Sequence, residues 1–202
     1  GDYHGDVKGI SIESGTINAN GDGWAAGIGS SENGSVWDIV IKGGTITAYG
    51  KPGIGSDAWN GVRDSSIEGG IVTANTYTGS TPTGGFVHLT DSNTYHVYSD
   101  TTLSSDLTVS AGSTITIDEN ATLTMTPPAQ LTNAGTMVNN GTITGTVTNT
   151  GTIYNSGSLP GQVGGTVHQA PYIEVIGGSG SGMYQDGESV TITAAAPGKN
   201  QI

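Results

Sequence analysis

Cysteine is absent from this 202-residue sequence, and only five residues are lysine or arginine. Without cysteine the chain has neither disulfides nor thiolate metal ligands. Its 17 acidic residues give a formal net charge of −12, and five basic residues are too few to hold phosphates. No apolar run reaches the length of a membrane-spanning helix. We therefore expect no nucleic-acid partner and no insertion into a membrane.

Residues that favour helices are also scarce, whereas 35 residues are glycine. Threonine, serine and asparagine fill much of the remainder, and these residues favour strands and turns over helices. Only one residue is phenylalanine, so a core must be built mainly from aliphatic side chains. The composition predicts an all-β fold.

The first third of the sequence repeats itself. Segment 27–44 aligns without a gap on 53–70, at an offset of 26, and 12–19 aligns on 41–48, at an offset of 29. Each unit has short alternating strands and glycine corners, with no helix to connect parallel strands. Such strands can still lie parallel if the chain winds as a solenoid with one coil per repeat. The repeat predicts a parallel β-helix over residues 1–170.

A second repeat zone begins at Thr101 with a different period. Asparagine–glycine corners recur at 133–136, 139–142, 149–152 and 155–158, so that the second pair repeats the first at an offset of 16. Asparagine tolerates the left-handed backbone conformation and can bond its own backbone, which suits the corners of a stacked solenoid. Residues 76–98, between the zones, are irregular. We expect them to form either a protruding loop or a connection that joins the two repeat zones.

Residues 171–202 differ from both repeat zones. Two strand-like segments with a glycine-rich link predict a hairpin that opens a small β module. The pattern Tyr184-x-x-Gly187-x-x-Val190-Thr191-Ile192-Thr193-Ala194, followed by Gly198, resembles the first half of the divergent internalin B-type repeat of Gram-positive surface proteins. The resemblance implies further modules in a longer chain.

The first repeat zone has a resemblance of its own. Its units of Ile-x-Gly-Gly-Thr-Ile-Thr-Ala followed by Gly-Ile-Gly are similar to right-handed β-helix repeats in cell-surface proteins of anaerobic Gram-positive bacteria. That group includes a carbohydrate-binding β-helix family related in shape to pectate lyases. Together the two resemblances imply a right-handed β-helix in an extracellular, multi-module, adhesin-like protein whose partner is a polysaccharide or another glycan.

Aromatic side chains on loops are the candidate sugar-binding residues, because exposed aromatic rings there indicate binding. We place all three tryptophans in the loop halves of the repeat. The candidate carbohydrate-binding residues are Trp24, Trp37, Trp59, Tyr49 and Asp57. The tryptophans do not align on one row of the repeat, so packing of each ring at a corner remains open.

Acidic residues offer a candidate metal site. Asp38 and Asp64 coincide in the alignment of 27–44 with 53–70, and two carboxylates about 5 Å apart repel unless a cation such as calcium bridges them. Solvated or turn-bonding aspartates are the alternative, with no cofactor. Glu13, Lys42 and Glu68 share another position and predict an outward acid–base–acid ladder.

Three functions remain open from the sequence. We expect a segment that binds carbohydrate without catalysis. A structural stalk that spaces other modules is the first alternative, and a fragment of a polysaccharide lyase or glycoside hydrolase is the second. For an enzyme, the candidate cluster combines Arg63 with Asp38 and Asp64; surface ion pairing explains the same residues.

Overall fold

The computed structural model describes residues 6–30, 34–56, 62–63, 65–161, 163–169, 172–173, 175, 178–180, 182–183 and 189–194. Every regular element in this part of the chain is a β-strand, and it contains no helix. The prediction of an all-β fold is confirmed.

Residues 6–89, the first half, contribute ten strands. They are β1 (Val7–Ile12), β2 (Thr16–Asn20), β3 (Ile28–Gly29), β4 (Val36–Ile41), β5 (Thr45–Tyr49), β6 (Ile54–Gly55), β7 (Val62–Arg63), β8 (Ser66–Ile67), β9 (Ile71–Ala74) and β10 (Phe86–Leu89).

Residues 94–169, the second half, contribute eleven strands, and four short strands follow. The eleven are β11 (Thr94–Val97), β12 (Thr101–Leu103), β13 (Leu107–Val109), β14 (Thr114–Ile117), β15 (Thr122–Met125), β16 (Gln130–Asn133), β17 (Thr136–Asn139), β18 (Thr142–Thr144), β19 (Thr146–Asn149), β20 (Thr152–Asn155) and β21 (Thr166–His168). The four are β22 (Tyr172–Ile173), β23 (Gly178–Ser179), β24 (Gly182–Met183) and β25 (Thr193–Ala194).

A nine-stranded sheet, the central sheet, runs through both halves in the order β2-β5-β9-β10-β11-β14-β17-β20-β21. In the first half it is accompanied by the sheets β1-β4-β7, with β8 also on β4, and β3-β6. In the second half the accompanying sheets are β12-β15-β18 and β13-β16-β19. Most coils thus add strands to three stacks, whereas β10, β20 and β21 extend the central sheet alone.

The strand registers reproduce the repeat offsets. Thr16 pairs in parallel with Thr45, and Ile28 pairs in parallel with Ile54, which are the two offsets of the first repeat zone. In the second half Asn133 pairs in parallel with Asn149, as the offset of the second zone predicts. The sequence alignment therefore identified which strands lie side by side.

The join between the halves is a hairpin. Strands β10 and β11 are antiparallel, with Phe86 opposite Val97, whereas their other neighbours in the central sheet, β9 and β14, pair with them in parallel. The turn contains Asn93 with φ 52°, a left-handed conformation that asparagine tolerates. The segment 76–98 is therefore a join within the sheet, and the strands run in opposite directions on its two sides.

The hydrophobic core changes face at the same hairpin. Phe86 and Val87 are consecutive strand residues, so their side chains point to opposite faces, yet both are buried. Val87 packs in the core of the first half with Ile46 and Val72, and Phe86 packs in the core of the second half with Val97 and Ile115. The central sheet is consequently covered on one face in the first half and on the other face in the second.

Four buried asparagines link the strands of the second half. Asn133 Nδ2 donates to Asn149 Oδ1 and Asn139 Nδ2 donates to Asn155 Oδ1, each at 2.7 Å. All four are the last residues of their strands, as predicted for corners, but none has a positive φ. The left-handed explanation was wrong for them, whereas the expected bond to the local backbone forms at Asn155, whose Nδ2 donates to the Gly157 carbonyl at 3.0 Å. The buried amides also bond from strand to strand.

The four short strands after residue 171 form two antiparallel pairs, β22 with β24 and β23 with β25. The predicted hairpin would join the strand after Pro171 to the strand that ends at Ala194, whereas β25 pairs with β23 and β22 pairs with β24. The predicted internalin-type module rests on residues such as Tyr184, Gly187 and Gly198, which lie outside the described residues, and it stays a prediction.

Candidate functional site

The structure brings two of the predicted aromatic residues to one corner, the Trp24 corner, formed by Trp24, Tyr49 and Lys51. Trp24 lies between β2 and β3 and is 60% exposed; Tyr49 ends β5 and is 39% exposed. Gly21 N–H donates to the Tyr49 carbonyl at 2.7 Å, which stacks the two turns. Lys51 Nζ lies 4.2 Å from the centroid of the Trp24 ring, a cation–π contact.

Trp37 lies elsewhere. It is a strand residue of β4, not a loop residue, so the expectation that all three tryptophans lie in loops was wrong for it. The ring is half-buried, and Lys8 Nζ lies 4.3 Å from its centroid, on the neighbouring strand β1. The alternation of side chains in a strand explains the half-buried position of the Trp37 ring, because every second side chain of a strand points outward.

Asp38 has a backbone explanation for its position. It has φ 57° and is exposed, and it aligns with Gly9, which also has a positive φ of 69°, between two flanking pairs of β1 and β4. Gly9 and Asp38 therefore interrupt the regular pairing of β1 and β4 at the same level of the stack.

The calcium site and the third tryptophan stay predictions, because Asp57, Trp59 and Asp64 lie outside the described residues. In the described part of the chain, no three metal-ligating side chains cluster.

The predicted charge ladder forms between its first two members. Lys42 Nζ lies 3.1 Å from Glu13 Oε1, with both side chains exposed. A hydrogen bond from the Ser11 hydroxyl, followed by the one from Lys42, lowers the pKa of Glu13. Glu68 instead accepts a hydrogen bond from Ser66 at 3.1 Å. An exposed pair of this kind contributes little to stability.

A cleft that sequence reasoning missed lies where the core changes face; we call it the step cleft. On the second-half side it is bounded by the outer face of β11 and β14, and on the first-half side by the end of the first core. Its volume is about 320 Å³. The residues that line it are Val87, Leu89, Thr94, Tyr95, His96, Tyr98, Thr114 and Thr116.

The polar side of the step cleft is organised around His96. Its Nε2 lies 2.6 Å from Asp118 Oδ1, and its ring stacks on Tyr98 with 3.7 Å between centroids and 7° between planes. Burial, with a smaller contribution from the Asp118 charge, raises the pKa of the Tyr98 phenol. The phenol is therefore neutral at ordinary pH and can donate a hydrogen bond.

A similar pair lies on the opposite face of the hairpin. There His88 stacks on Tyr95, with 3.9 Å between centroids, and burial lowers the pKa of His88. The signal in the sequence was the run Phe86-Val87-His88-Leu89, which lacks the alternation of the neighbouring repeats. Only a strand with neighbours on both faces buries consecutive apolar side chains.

Comparison with protein-family models, with curated proteins and with solved structures found no match. Within the described residues, no helix is long and apolar enough to cross a membrane.

Proposed function

We propose that this chain is a right-handed parallel β-helix from an extracellular bacterial surface protein, and that it binds carbohydrate without catalysis. The architecture is supported by the parallel registers, which repeat in three stacks of strands. Parallel strands joined by a crossover in one sheet are right-handed in about 98% of cases. The bacterial surface origin is supported by the resemblance of the first repeat zone and of residues 184–198.

The join is compatible with a single hand in both halves. Reversal of strand direction alone would invert the sense in which the chain winds about its axis, and transfer of the core to the other face would invert it as well. Both changes occur at the β10–β11 hairpin, so they cancel. A right-handed first half therefore continues into a right-handed second half.

The observation that carries carbohydrate binding is the exposure of Trp24. A tryptophan ring that is 60% exposed costs free energy in water, and such rings mark binding surfaces. The ring offers a flat apolar face to the C–H face of a sugar, while Lys51 and the Tyr49 hydroxyl offer donors to sugar hydroxyls. The corner is open, which suits a segment within a long polysaccharide.

The test is replacement of Trp24. Native affinity electrophoresis in gels that contain plant or mucin polysaccharides measures binding, and we expect Trp24→Ala to weaken retardation by at least about tenfold, the equivalent of about 1.4 kcal/mol. Trp37→Ala is the matched control and should bind as the unaltered chain does. Equal retardation of the Trp24→Ala variant, or no retardation by any polysaccharide, would contradict the proposal.

A spacer is the second candidate function, and the central sheet favours it. Nine stacked strands span eight intervals, roughly 38 Å at about 4.8 Å per interval, with the repeats adding length in one direction. A spacer needs no exposed aromatic corner. If the unaltered chain binds none of the polysaccharides in the test above, a spacer is the better explanation.

A further inference from the structure

We propose that the step cleft is a second binding site, which takes a single pyranose ring of a neutral saccharide, such as a chain terminus. The site goes beyond the proposed function, because the cleft shares no residue with the Trp24 corner and its occupant is a single ring instead of an extended chain. Its volume of about 320 Å³ is at the lower end of the range for small-ligand sites.

The concave shape follows from the fold. The first core lies on the same face of the central sheet as Val87, and it ends beside β11. Beyond β11 this face of the central sheet is the outer surface of the second half. The end of the first core therefore stands above an uncovered part of the sheet and forms one side of the cleft. Tyr98 and Leu89 pack against the first core on this side. The cleft is therefore built by the backbone, not by a loop.

The lining matches the two kinds of surface on a sugar ring. Leu89, which is half-buried, supplies apolar area for C–H groups, whereas Val87 lines the cleft but is only 3% exposed. The hydroxyls of Thr94, Thr114 and Thr116 lie on two adjacent parallel strands, where Thr94 pairs with Thr114 and His96 pairs with Thr116. Each hydroxyl both donates and accepts, as sugar hydroxyls require. Thr94 already shares a hydrogen bond with the Ser92 hydroxyl at 2.7 Å, but a purely apolar ligand would cover the Thr114 and Thr116 hydroxyls without pairing them, at a cost in free energy.

The charge of the site selects a neutral ring. Among the residues that line the step cleft there is no lysine or arginine, and Asp118 lies 2.6 Å from His96 at its edge. A uronic acid or a sulfated sugar would bring a negative charge towards a carboxylate without a lysine or arginine to pair with it. Asp118 also holds the His96 ring in place, so the imidazole is a fixed hydrogen-bonding group.

Titration of the protein with methyl glycosides tests the proposal. The probes are the methyl glycosides of glucose, galactose, mannose and N-acetylglucosamine, with methyl glucuronide as the anionic comparison. The ring-proton NMR signals of His96, assigned with His96→Gln, report on the cleft directly. We expect at least one neutral glycoside to shift them with a saturable, millimolar dissociation constant, and methyl glucuronide to bind at least about tenfold more weakly.

Two arginine variants locate the binding. Thr116→Arg fills the cleft from an outward-facing position, and we expect it to weaken binding at least about tenfold. Thr124→Arg is the matched control, a half-exposed threonine of β15 on another sheet, and it should bind normally. If Thr116→Arg fails to fold, Thr94→Arg, at an exposed position, replaces it.

Three results would overturn the proposal: no neutral glycoside shifts the His96 signals, methyl glucuronide binds as tightly as the neutral glycosides, or the cleft variants bind as the unaltered chain does. The Trp24→Ala variant separates the two sites. It should leave the glycoside-induced shift of His96 intact even where polysaccharide retardation is lost.

Discussion

At the scale of single residues, the buried asparagines show how side chains can hold strands in register. Asn149 accepts from Asn133 and donates to the Gly164 carbonyl at 2.7 Å, so one amide bridges two levels. The row begins at Asn133, whose Oδ1 is buried with no partner among the described residues, because the preceding position is Val109. A buried amide is favourable only while its neighbours complete its hydrogen bonds.

Replacement of Asn149 by leucine should therefore cost more than its change in size suggests. Asn149→Leu removes the shorter of the two hydrogen bonds from Asn133 Nδ2, which keeps only the Thr152 carbonyl at 3.2 Å, and a buried amide N–H left without its partner costs about 1 to 3 kcal/mol. The bond to the exposed Gly164 carbonyl is lost as well, but water can replace it. Urea unfolding followed by circular dichroism measures the loss. In the control Asn140→Ala, the lost bond comes from the exposed Ser156 hydroxyl, and the cost should stay below about 1 kcal/mol. Equal stability of the two variants would argue against the row of amides.

The sequence predicted the positions of these asparagines but not their role. Their spacing of 6, 10 and 6 marked the ends of strands, because each asparagine has a glycine two residues later and such short clusters of asparagine, small polar residues and glycine are typical of turns. Whether an amide points outward at a turn or inward along a row depends on the neighbouring strand, which a local pattern does not include.

At the scale of elements, the short strands β3 and β6 show why glycine recurs in the first half. Gly29 has φ 138°, and a Cβ atom at this residue would overlap the carbonyl oxygen of Gly55 on the neighbouring strand. The sequence predicted corners at these glycines, whereas both lie in the short strands, and the close approach of the two backbones explains why they are glycine.

Two alanine variants separate the cost of the backbone conformation from the cost of the close contact with the neighbouring strand. Gly29→Ala should destabilise the fold by about 1 to 3 kcal/mol through backbone strain and by a similar amount through overpacking. Gly23→Ala is the matched control, since Gly23 also has a positive φ, 62°, but nothing within 4 Å of the added methyl group. It should show the strain alone. Thermal unfolding of both variants gives the comparison, and an equal loss would mean that the close approach contributes nothing.

The repeat offsets predicted most element pairings, whereas the hairpin escaped prediction. Both offsets of the first repeat zone reappear as strand registers because identical side chains stack best on one another. The repeat alignment stopped before β10 and β11, although Gly84-Gly85 precedes β10 as Gly69-Gly70 precedes its partner β9. Nothing in the alignment indicated that β11 pairs antiparallel with β10. The step cleft escaped with them, since its lining comes from both sides of the hairpin.

At the scale of the whole molecule, two hydrophobic cores pack against one sheet, the central sheet. The first core and the second core lie on opposite faces of the central sheet, and they meet at β10 through Val87 and Phe86. In repeat proteins each repeat contacts mainly its neighbours, so stability is roughly a sum of local terms. The two halves are therefore coupled chiefly through the strands of the hairpin.

Alanine variants of the two neighbouring residues should affect different halves. Val87→Ala should speed amide exchange in Thr45–Tyr49 and Ile71–Ala74, with a cost of about 2 kcal/mol. Phe86→Ala should speed exchange in Thr94–Val97 and Thr114–Ile117, with a cost of about 3 to 5 kcal/mol. Hydrogen exchange with mass spectrometry resolves these segments. Identical exchange patterns in the two variants would contradict two separate cores.

The order of the central sheet also has a mechanical consequence. Its strands follow one another in chain order from β2 to β21, so the rows of hydrogen bonds between strands lie in series under tension along the stack. Every row carries the same force, which is divided only among the bonds of that row. Such a chain lengthens in many small steps under force, longer ones from the repeats of the first half and shorter ones from the repeats around Asn133 and Asn149. It would act as an extensible tether and not as a stiff rod.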